Sequence, residues 1–333
     1  MKIMVTGGAG YIGSVTTAML LDAGHETVVF DNLSRGHRAA VDERASFIQG
    51  DLCQLAEITA AIQESRPDAV IHFAAYALVG ESMRHPDWYF GNNVRGGINL
   101  LEAMLRANVN KIVFSSSCAT YGQPTHTPIT EATPQQPTNP YGESKLIFEK
   151  ILGWYQCLRG LQPVSLRYFN AAGASEKYGE DHDPETHLIP NILRVALGQQ
   201  ESVTVFGGDY DTPDGTCIRD YIHIEDLARA HLLALHNPFC GALNLGTGEG
   251  CSVLQVLEAA RRITGHALPM LSAPPRPGDP ARLVAEASRA YQVLGWRPQQ
   301  SRIEEIVRSA WAWHQAHPHG YAAKTPAEPH KDV

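Results

Sequence analysis

The chain has 333 residues, 44% of them hydrophobic, and a formal net charge of −8 from 27 Lys+Arg and 35 Asp+Glu. This length exceeds one average domain and predicts a large domain with a smaller partner. The acidic balance argues against nucleic acid and anionic membranes as partners, and every apolar run falls short of the ~20 residues of a membrane-spanning helix.

The amino terminus runs from Met1 into a short apolar strand at 3–5. It lacks the longer apolar core and small-residue cleavage site of a signal peptide. The six cysteines are scattered without a C-x-x-C pair, which predicts free thiols rather than a disulfide framework or a zinc site. These features predict a soluble cytoplasmic protein.

Short β-branched runs alternate with helical periodicity in the first half of the chain. Near-continuously apolar strands separated by amphipathic helices indicate a parallel sheet covered on both faces. The predicted fold class is therefore α/β, a doubly wound parallel Rossmann-type sheet with a smaller mixed α/β lobe. The predicted strands lie at 3–5, 27–30, 46–48, 69–72, 111–114 and 164–167, and one helix covers 93–107.

A glycine-rich segment, GGAGYIG at 7–13, follows the first strand and opens a helix. Its Gly8, Gly10 and Gly13 fit G-x-G-x-x-G, in which bare backbone lets a pyrophosphate approach a helix N-terminus. A tight turn that only packs strand against helix is the alternative. Asp31 ends the second strand, where a carboxylate accepts from adenine-ribose hydroxyls and repels a 2′-phosphate. The glycine-rich turn and Asp31 together favour NAD over NADP, although Arg35 nearby weakens this inference because arginine can receive a 2′-phosphate.

Tyr141 and Lys145 stand one turn apart on a helix that Asn139 and Pro140 are expected to begin. Lowering the phenol pKa from about 10 by ~3 units needs roughly 4 kcal/mol of preferential stabilisation of tyrosinate. We expect Lys145, the helix N-terminus and the positive nicotinamide ring to supply it jointly. Ser117 ends the preceding strand, at the edge where parallel sheets bind ligands. For the Tyr–Lys pair alone, two surface side chains one turn apart are the alternative.

Beyond about residue 171 the strands become isolated and the loops longer, which predicts a smaller lobe with helices at 188–197, 224–235 and 253–264. The proline-rich stretch 269–280 is expected to be an ordered loop, because helical periodicity resumes at 303–313. We divide the chain into an NAD-binding domain at 1–170, to which some later segments return, a substrate lobe at 171–322 and a frayed tail at 323–333.

Taken in order, these motifs resemble the extended short-chain dehydrogenase/reductase family, and within it the UDP-galactose (UDP-glucose) 4-epimerases, to about Tyr321. The resemblance implies C4 epimerisation of UDP-hexoses through a 4-keto sugar and NADH. It also implies a homodimer built from the helices at 93–107 and 141–158. The stretches that carry it are VTGGAGYIGS at 5–14, DNLS at 31–34, IHFAA at 71–75, VGES at 79–82, LRYFN at 166–170 and IRDYIH at 218–223.

The resemblance also implies which residues form the sites, with Tyr141, Lys145 and Ser117 catalytic and no metal. The implied NAD residues are Gly7, Gly8, Gly10, Tyr11, Ile12, Gly13, Asp31, Asn32, Ser34, Asp51, Leu52, Phe73, Ala74, Ala75, Asn92, Tyr141, Lys145 and Phe169. The implied UDP-sugar residues are Ser117, Tyr141, Asn170, His187, Leu188, Phe206, Arg219, Arg276, Asp279 and Leu283. A solvated loop charge is the alternative for Arg276.

Two positions depart from the family pattern. Ala77 stands where some members carry a lysine near the nicotinamide, so any electrostatic role of that lysine is absent. His187 stands where others place an asparagine, and it is expected to donate to the substrate instead. We interpret His182, Asp183 and His187 as solvated polar residues of an acidic loop rather than a metal site.

Related dehydratases and decarboxylases also make a 4-keto sugar, but they place a carboxylate after the catalytic Ser or Thr. Here Cys118, Ala119 and Thr120 follow instead, which favours an epimerase. The alternative from another class of function is a non-catalytic NAD sensor. It is disfavoured because Tyr141 and Lys145, the catalytic pair of the family, are both kept. A 4-epimerase that interconverts UDP-xylose and UDP-arabinose is a further alternative. Leu283, smaller than the tyrosine of restrictive members, predicts some activity on UDP-N-acetylhexosamines.

Overall fold

The computed structural model describes residues 1–276 and 279–321, so the predicted tail at 323–333 lies outside the described residues. Within them, the chain alternates strands and helices up to β6 and then continues with shorter strands. The strands are β1 (Lys2–Thr6), β2 (Glu26–Asp31), β3 (Ser46–Gln49), β4 (Ala69–His72), β5 (Lys111–Ser117), β6 (Gln162–Tyr168), β7 (Asn170–Ala172), β8 (Val203–Phe206), β9 (Ile218–Arg219), β10 (Tyr221–His223), β11 (Gly241–Leu245), β12 (Cys251–Ser252), β13 (Met270–Ala273) and β14 (Arg282–Leu283).

Helices connect these strands, and a π-helical stretch, Phe90–Arg95, interrupts one of the connections. In the described residues no helix is long and apolar enough to cross a membrane. The helices are α1 (Tyr11–Asp22), α2 (Leu55–Ser65), α3 (Val79–Ser82), α4 (Pro86–Tyr89), α5 (Gly96–Arg106), α6 (Pro140–Arg159), α7 (Leu188–Ala196), α8 (Ile224–His236), α9 (Val253–Thr264), α10 (Ser288–Leu294) and α11 (Ile303–Ala316).

The central sheet has seven strands in the order β11-β6-β5-β4-β1-β2-β3, and every pair is parallel. Its middle strands are buried on both faces, as the near-continuous apolar runs predict. The predicted doubly wound fold class is confirmed. Because β1, β4 and β5 are neighbours and parallel, their carboxyl ends open on one edge of the sheet, next to the glycine-rich turn.

The edge strand β11 is absent from the predicted strands, which stop at 164–167. Its apolar signal is weak because it contains Gly241 and Asn244. The fully buried Asn244 side chain accepts a hydrogen bond from the Tyr121 phenol and donates one to the Ile129 carbonyl. Together with α8, β11 packs in the same apolar cluster as β1 and β6. The division at residue 170 stays a prediction, with these two later elements lying on the first domain's sheet.

The remaining strands form three small sheets, β7–β10, β12–β9–β14 and β8–β13, beside a second apolar cluster made mainly by α7, α9 and α11. The predicted helices occur there, with ends that differ from 188–197, 224–235 and 303–313 by up to three residues. The stretch 269–280, expected as a loop, begins with β13, which pairs in parallel with β8. Because β13 pairs with a strand that is distant in sequence, the proline-rich composition of 269–280 predicted a loop instead.

Helix α6 begins as its sequence predicts. The Asn139 side chain accepts from the Gly142 N–H at 2.8 Å, Pro140 occupies the first turn, and Gly160 ends the helix at a positive φ of 72°. Such a cap contributes about 1 kcal/mol. The cap places Tyr141 in the first turn of α6 and Lys145 one turn further on.

Candidate active site and cofactor cradle

The glycine-rich turn lies between the end of β1 and the first turn of α1. Gly7 has a φ of +75°, and a Cβ there would stand 2.7 Å from Ala74 Cα. A Cβ at Gly13 would stand 2.8 Å from Gly8 Cα. Only bare backbone fits these approaches. Gly10 caps α1 without a side-chain hydrogen bond, so the first N–H groups of α1 point outward, as an anion site requires.

Asp31, at the end of β2, is held by two backbone donors. Its carboxylate accepts from the Ala9 N–H at 3.0 Å and from the Leu33 N–H at 2.8 Å. Burial raises its pKa from the ordinary value, while both hydrogen bonds act in the opposite direction. Asp31 therefore braces the glycine-rich turn against β2. Arg35 is engaged by Glu81 at 2.6 Å, which offsets its predicted preference for a 2′-phosphate.

The other predicted cofactor residues follow the ends of β2, β3 and β4. Asn32 donates to Asp51 at 3.3 Å and accepts from the Ser34 N–H at 3.0 Å. Leu52 is buried beside them in the apolar cluster that also holds Ala74. After β4, the N–H groups of Phe73 and Ala74 donate to the Thr6 carbonyl, and Ala75 follows. On α1, the Tyr11 phenol donates to the Gly173 carbonyl at 2.5 Å. Ile12 and Phe73 pack against the same apolar cluster.

The π-helical stretch carries the predicted Asn92. Its side chain donates to Asn93 at 3.0 Å, and the buried Asn93 donates to the Ser144 hydroxyl on α6 at 2.9 Å. Asn93 thereby joins this stretch to the helix that carries Tyr141. The Asn93–Ser144 link was not predicted, because two small polar residues inside helices give no distinctive pattern. π-helical turns occur often at functional sites.

Ser117, Tyr141 and Lys145 come together at the carboxyl end of β5. The Ser117 hydroxyl lies near enough to the Tyr141 phenol to lower the pKa of that phenol, against the larger rise from burial. Lys145 is 3% exposed, and its ammonium group donates to the Ser115 carbonyl at 2.9 Å and lies 5.9 Å from the centre of the Tyr141 ring. The structure therefore brings the three predicted catalytic residues together beside the glycine-rich turn.

Burial shifts the pKa values of Tyr141 and Lys145 in opposite directions. Burial raises the pKa of Tyr141 to about 12, and the nearby Ser117 hydroxyl offsets only part of that effect. Burial lowers the pKa of Lys145 to about 7, against the opposing charge of Glu149. The expectation that Lys145, the helix end and the nicotinamide ring jointly lower the phenol pKa stays a prediction, because these values describe the chain alone. Both groups are pushed toward neutral forms, so ionising the phenol requires a further positive charge beside it.

A buried ion pair lies behind Lys145. Glu149, one turn along α6, accepts from Arg167 at 2.5 Å and from Ser116, and Arg167 also donates to the Tyr121 phenol at 2.8 Å. This network fixes the third turn of α6 against β5 and β6. None of its members was predicted, since they are 18 or more residues apart in sequence and join only in the folded sheet.

The predicted substrate residues gather around β9 and β14. Arg219 donates to Asp279 at 2.5 Å, and Leu283 stands beside Arg219 in the parallel register. Burial raises the pKa of the Cys118 thiol and the charge of Arg219 partly offsets this, which places that charge near the end of β5. Leu283 packs in the same small cluster as Phe169 and Cys118.

Arg276 and Asn170 complete this set. The Arg276 guanidinium lies 4.2 Å from the centre of the Phe206 ring, so it is an exposed but stacked cation rather than a freely solvated charge. Asn170 begins β7, and its N–H donates to the Asp220 carbonyl at 2.9 Å.

Of the residues interpreted as solvated, Asp183 and His187 are exposed, whereas the partly buried His182 contacts two buried glutamates. Glu180 and Glu185 have side chains only 5% and 1% exposed, and His182 Nδ1 lies 3.2 Å from Glu180 Oε1. His187 contacts the same oxygen through Nδ1, which leaves its other ring nitrogen for a substrate. The two buried glutamates were overlooked because acidic loops are usually hydrated. Leu188, the first residue of α7, packs on the lobe's core. Donor atoms of Glu180, His182, Glu185 and His187 all lie within 4.8 Å of one another, and this group can hold a metal ion.

Comparisons with known proteins agree with this geometry. The model of the NAD dependent epimerase/dehydratase family matches residues 3–246. A UDP-glucose 4-epimerase of Streptococcus mutans serotype c is 54% identical over 330 residues, covering 96% of this chain and 99% of the relative. One of Halalkalibacterium halodurans is 51% identical over 330 residues, covering 97% and 98%.

Solved structures show the same similarity. A UDP-glucose 4-epimerase structure superposes with a TM-score of 0.94 at 49% identity, over 97% of this chain and all of the other. The Brucella ovis UDP-glucose 4-epimerase in complex with NAD has a TM-score of 0.91 at 46% identity, covering 94% and 98%. That of Bifidobacterium longum with NAD+ and UDP has a TM-score of 0.92 at 40% identity, covering 96% and 100%.

Proposed function

The chain belongs to the NAD-dependent epimerase/dehydratase family, and from this premise we propose that it interconverts UDP-galactose and UDP-glucose by epimerisation at C4. The observation that carries the proposal is the convergence of Tyr141, Ser117 and Lys145 at the end of β5, next to the glycine-rich turn. The enzyme is an isomerase, and its cofactor is NAD.

The residues of this chain divide the work of the reaction. Bound NAD supplies a hydride acceptor that later returns the hydride, so it ends unchanged. Tyr141 removes the proton from the sugar 4-hydroxyl, and Ser117 hydrogen-bonds the same oxygen. Arg219 and Arg276 hold the diphosphate while the 4-keto ring turns its other face, because guanidinium groups bind such oxygens in bidentate fashion.

The residue after Ser117 supports an epimerase rather than a dehydratase or a decarboxylase. Those enzymes need a carboxylate there for the second step, and this chain has Cys118. Burial raises the pKa of the Cys118 thiol to about 12, so the thiol stays protonated and does not replace a carboxylate as a base.

Conversion of UDP-galactose by the purified protein tests the proposal directly. We expect UDP-glucose to appear without added cofactor, followed by release of NAD on heating. Release of the dinucleotide without any sugar interconversion would contradict an enzyme and favour a sensor. Interconversion of UDP-xylose and UDP-arabinose at a higher kcat/KM than the hexose pair would instead favour the pentose alternative.

Leu283 sets which C2 substituent the sugar pocket admits in this proposal. It is partly buried against Phe169 and lies beside Arg219. We expect the unmodified chain to convert UDP-N-acetylglucosamine, and Leu283→Tyr to lower that kcat/KM at least about 10-fold, since added ring volume crowds the acetyl group. Turnover of UDP-galactose by the same variant is the control. Equal losses on both substrates, or none on either, would contradict a role for Leu283 in selectivity.

We also propose a homodimer in which α5 and α6 of two subunits pack as a four-helix bundle. Most of the large exposed apolar side chains lie on 79–98 and on α6, including Trp154 at 66% exposed and Leu158 at 69%. The two α6 residues are one turn apart and form a stripe. Such a concentration of apolar surface is typical of an interface.

Trp154→Asp is expected to weaken this dimer at least about 100-fold, because a buried aromatic anchor is worth 2 kcal/mol or more and a charge replaces it. Sedimentation velocity measures the dissociation constant. Tyr291→Asp, at an exposed aromatic residue on α10, is the matched control and should leave the dimer unchanged. A Trp154→Asp variant that remains as dimeric as the parent would rule out this interface.

We also propose that the protein is cytoplasmic. Its support is that all six cysteines are free thiols, as is usual in reducing compartments.

A further inference from the structure

Four side chains converge in the segment between β7 and α7, and only His187 among them is also a predicted substrate residue. Glu180, His182, Glu185 and His187 each present one donor atom, and these atoms lie within 4.8 Å of one another. His187 is the N-cap residue of α7, so the cluster joins the loop to the start of a helix. The spacing E-x-H-x-x-E-x-H brings carboxylates and imidazoles to one point.

One buried oxygen in this cluster has no hydrogen-bond partner. Glu185 is 1% exposed, and its Oε1 accepts from the His187 N–H at 2.8 Å. Its Oε2 receives no hydrogen bond and faces His182 Nδ1 at 3.7 Å. An unsatisfied buried carboxylate oxygen costs free energy. Its position therefore indicates that a cation belongs beside it.

The distances within the cluster suit a small divalent ion. Ligands about 2.1 Å from a tetrahedral ion stand roughly 3.4 Å from one another. His182 Nδ1 lies 3.2 Å from Glu180 Oε1 and 3.7 Å from Glu185 Oε2, and His187 Nδ1 lies 3.8 Å from Glu185 Oε1. The direct contact between His187 and Glu180 has to open to admit the ion.

Charge and donor type narrow the choice of ion. The two buried carboxylates face His182 and His187. Imidazoles that bind a metal ion are neutral, so a divalent cation then supplies the two balancing charges. Two imidazole nitrogens with two carboxylate oxygens suit Zn²⁺ and similar transition metals, whereas Mg²⁺ and Ca²⁺ take oxygen ligands.

We propose that Glu180, His182, Glu185 and His187 form a Zn²⁺-class metal site that secures this loop to the N-terminus of α7. The loop also reaches the cofactor side of the molecule. His182 lies edge-on to the Tyr11 ring at 6.1 Å, Asp181 lies 3.4 Å from His37, and the Asp183 carbonyl accepts from Arg35 at 3.4 Å. The bound ion is therefore structural, at the rim of the cofactor cradle, and takes no part in hydride or proton transfer.

Metal binding by the full chain tests the site without reference to turnover. After chelator treatment and dialysis, ZnCl₂ alone is titrated and the bound zinc is counted by mass spectrometry. We expect one tightly held Zn²⁺ per chain, with affinity at least about 10-fold lower in His182→Asn and in Glu185→Gln. The matched controls, His126→Asn and Glu201→Gln, alter exposed side chains and should bind zinc like the parent.

Two results would overturn the proposal. One is a parent chain that binds no more zinc than the His182→Asn/Glu185→Gln double variant, with circular dichroism confirming that both are folded. The other is a site that takes Mg²⁺ in preference to Zn²⁺. Co²⁺ added to the parent gives an independent readout, because a four-coordinate site produces intense visible absorption, and its absence would contradict the tetrahedral ligand set. The zinc and cobalt experiments do not measure epimerase activity, so their outcomes leave the proposed function to be tested separately.

Discussion

Tyr141→Phe is expected to lower kcat for UDP-galactose about 10³-fold, the range typical for removing a general base. Phenylalanine keeps the ring and its burial but cannot take the proton of the sugar 4-hydroxyl. The substitution also removes the phenol near the Ser117 hydroxyl. Steady-state kinetics give kcat, and the dinucleotide released on heating shows whether the cofactor is retained.

A tyrosine on the same helix supplies the control for this prediction. Tyr155 lies further along α6 and packs on the apolar cluster beneath it, so Tyr155→Phe removes a phenol without touching the site. It should retain near-parental turnover. Should Tyr141→Phe retain turnover within a few-fold of the parent, another group would have to be the base and the proposed mechanism would fail.

The pKa directions at this site give that prediction a physical basis. Burial raises the pKa of Tyr141 to about 12 and lowers the pKa of Lys145 to about 7, so the protein alone disfavours the charged pair. A cationic nicotinamide stabilises the tyrosinate beside it. We therefore expect the phenol to act as a base when the oxidised cofactor supplies a further positive charge, which would couple proton removal to the availability of a hydride acceptor.

Arg219→Met is expected to raise KM for the UDP-sugar roughly 100-fold, with a smaller effect on kcat. The guanidinium is buried, already oriented by Asp279 at 2.5 Å and by the Ile218 carbonyl at 2.8 Å. Losing its charge-assisted hydrogen bonds to a diphosphate removes about 3 kcal/mol of binding. Methionine replaces the aliphatic stem, so the pocket wall remains.

The neighbouring Arg282 provides the matched control. It lies next to Leu283 on β14, opposite Ile218, but its side chain is exposed. Arg282→Met should leave KM unchanged. Equal effects of the two substitutions would mean that general positive charge, rather than a placed guanidinium, accounts for the binding. Isothermal titration with UDP, which lacks the sugar, separates loss of nucleotide binding from loss of sugar contacts.

Local patterns were sufficient for much of the fold and the cofactor site. Strand positions, the start of α6 at Pro140 and the fit of bare glycines at Gly7 and Gly13 follow from periodicity, capping and steric exclusion, all within a few residues of chain. These are short-range effects, so the amino-acid order determines them. The placement of Ser117 also follows, since the ends of parallel strands share one edge.

Other features depend on residues far apart in sequence. Arg219 pairs with Asp279 across 60 positions, β11 joins the sheet beside β6, and Glu149 meets Arg167 only when α6 lies on that sheet. No local pattern encodes such contacts. Burial also has no local signal for a charged residue, which is why the buried Glu180 and Glu185 were not predicted.

By itself, the sequence determined the doubly wound sheet, the use of NAD and a tyrosine–lysine pair one helical turn apart. Only the tertiary structure decided which charges are buried and which are paired. Desolvation depends on everything packed around a group, so the pKa values of Tyr141 and Lys145 and the closeness of Glu180 to His182 emerge with the complete fold.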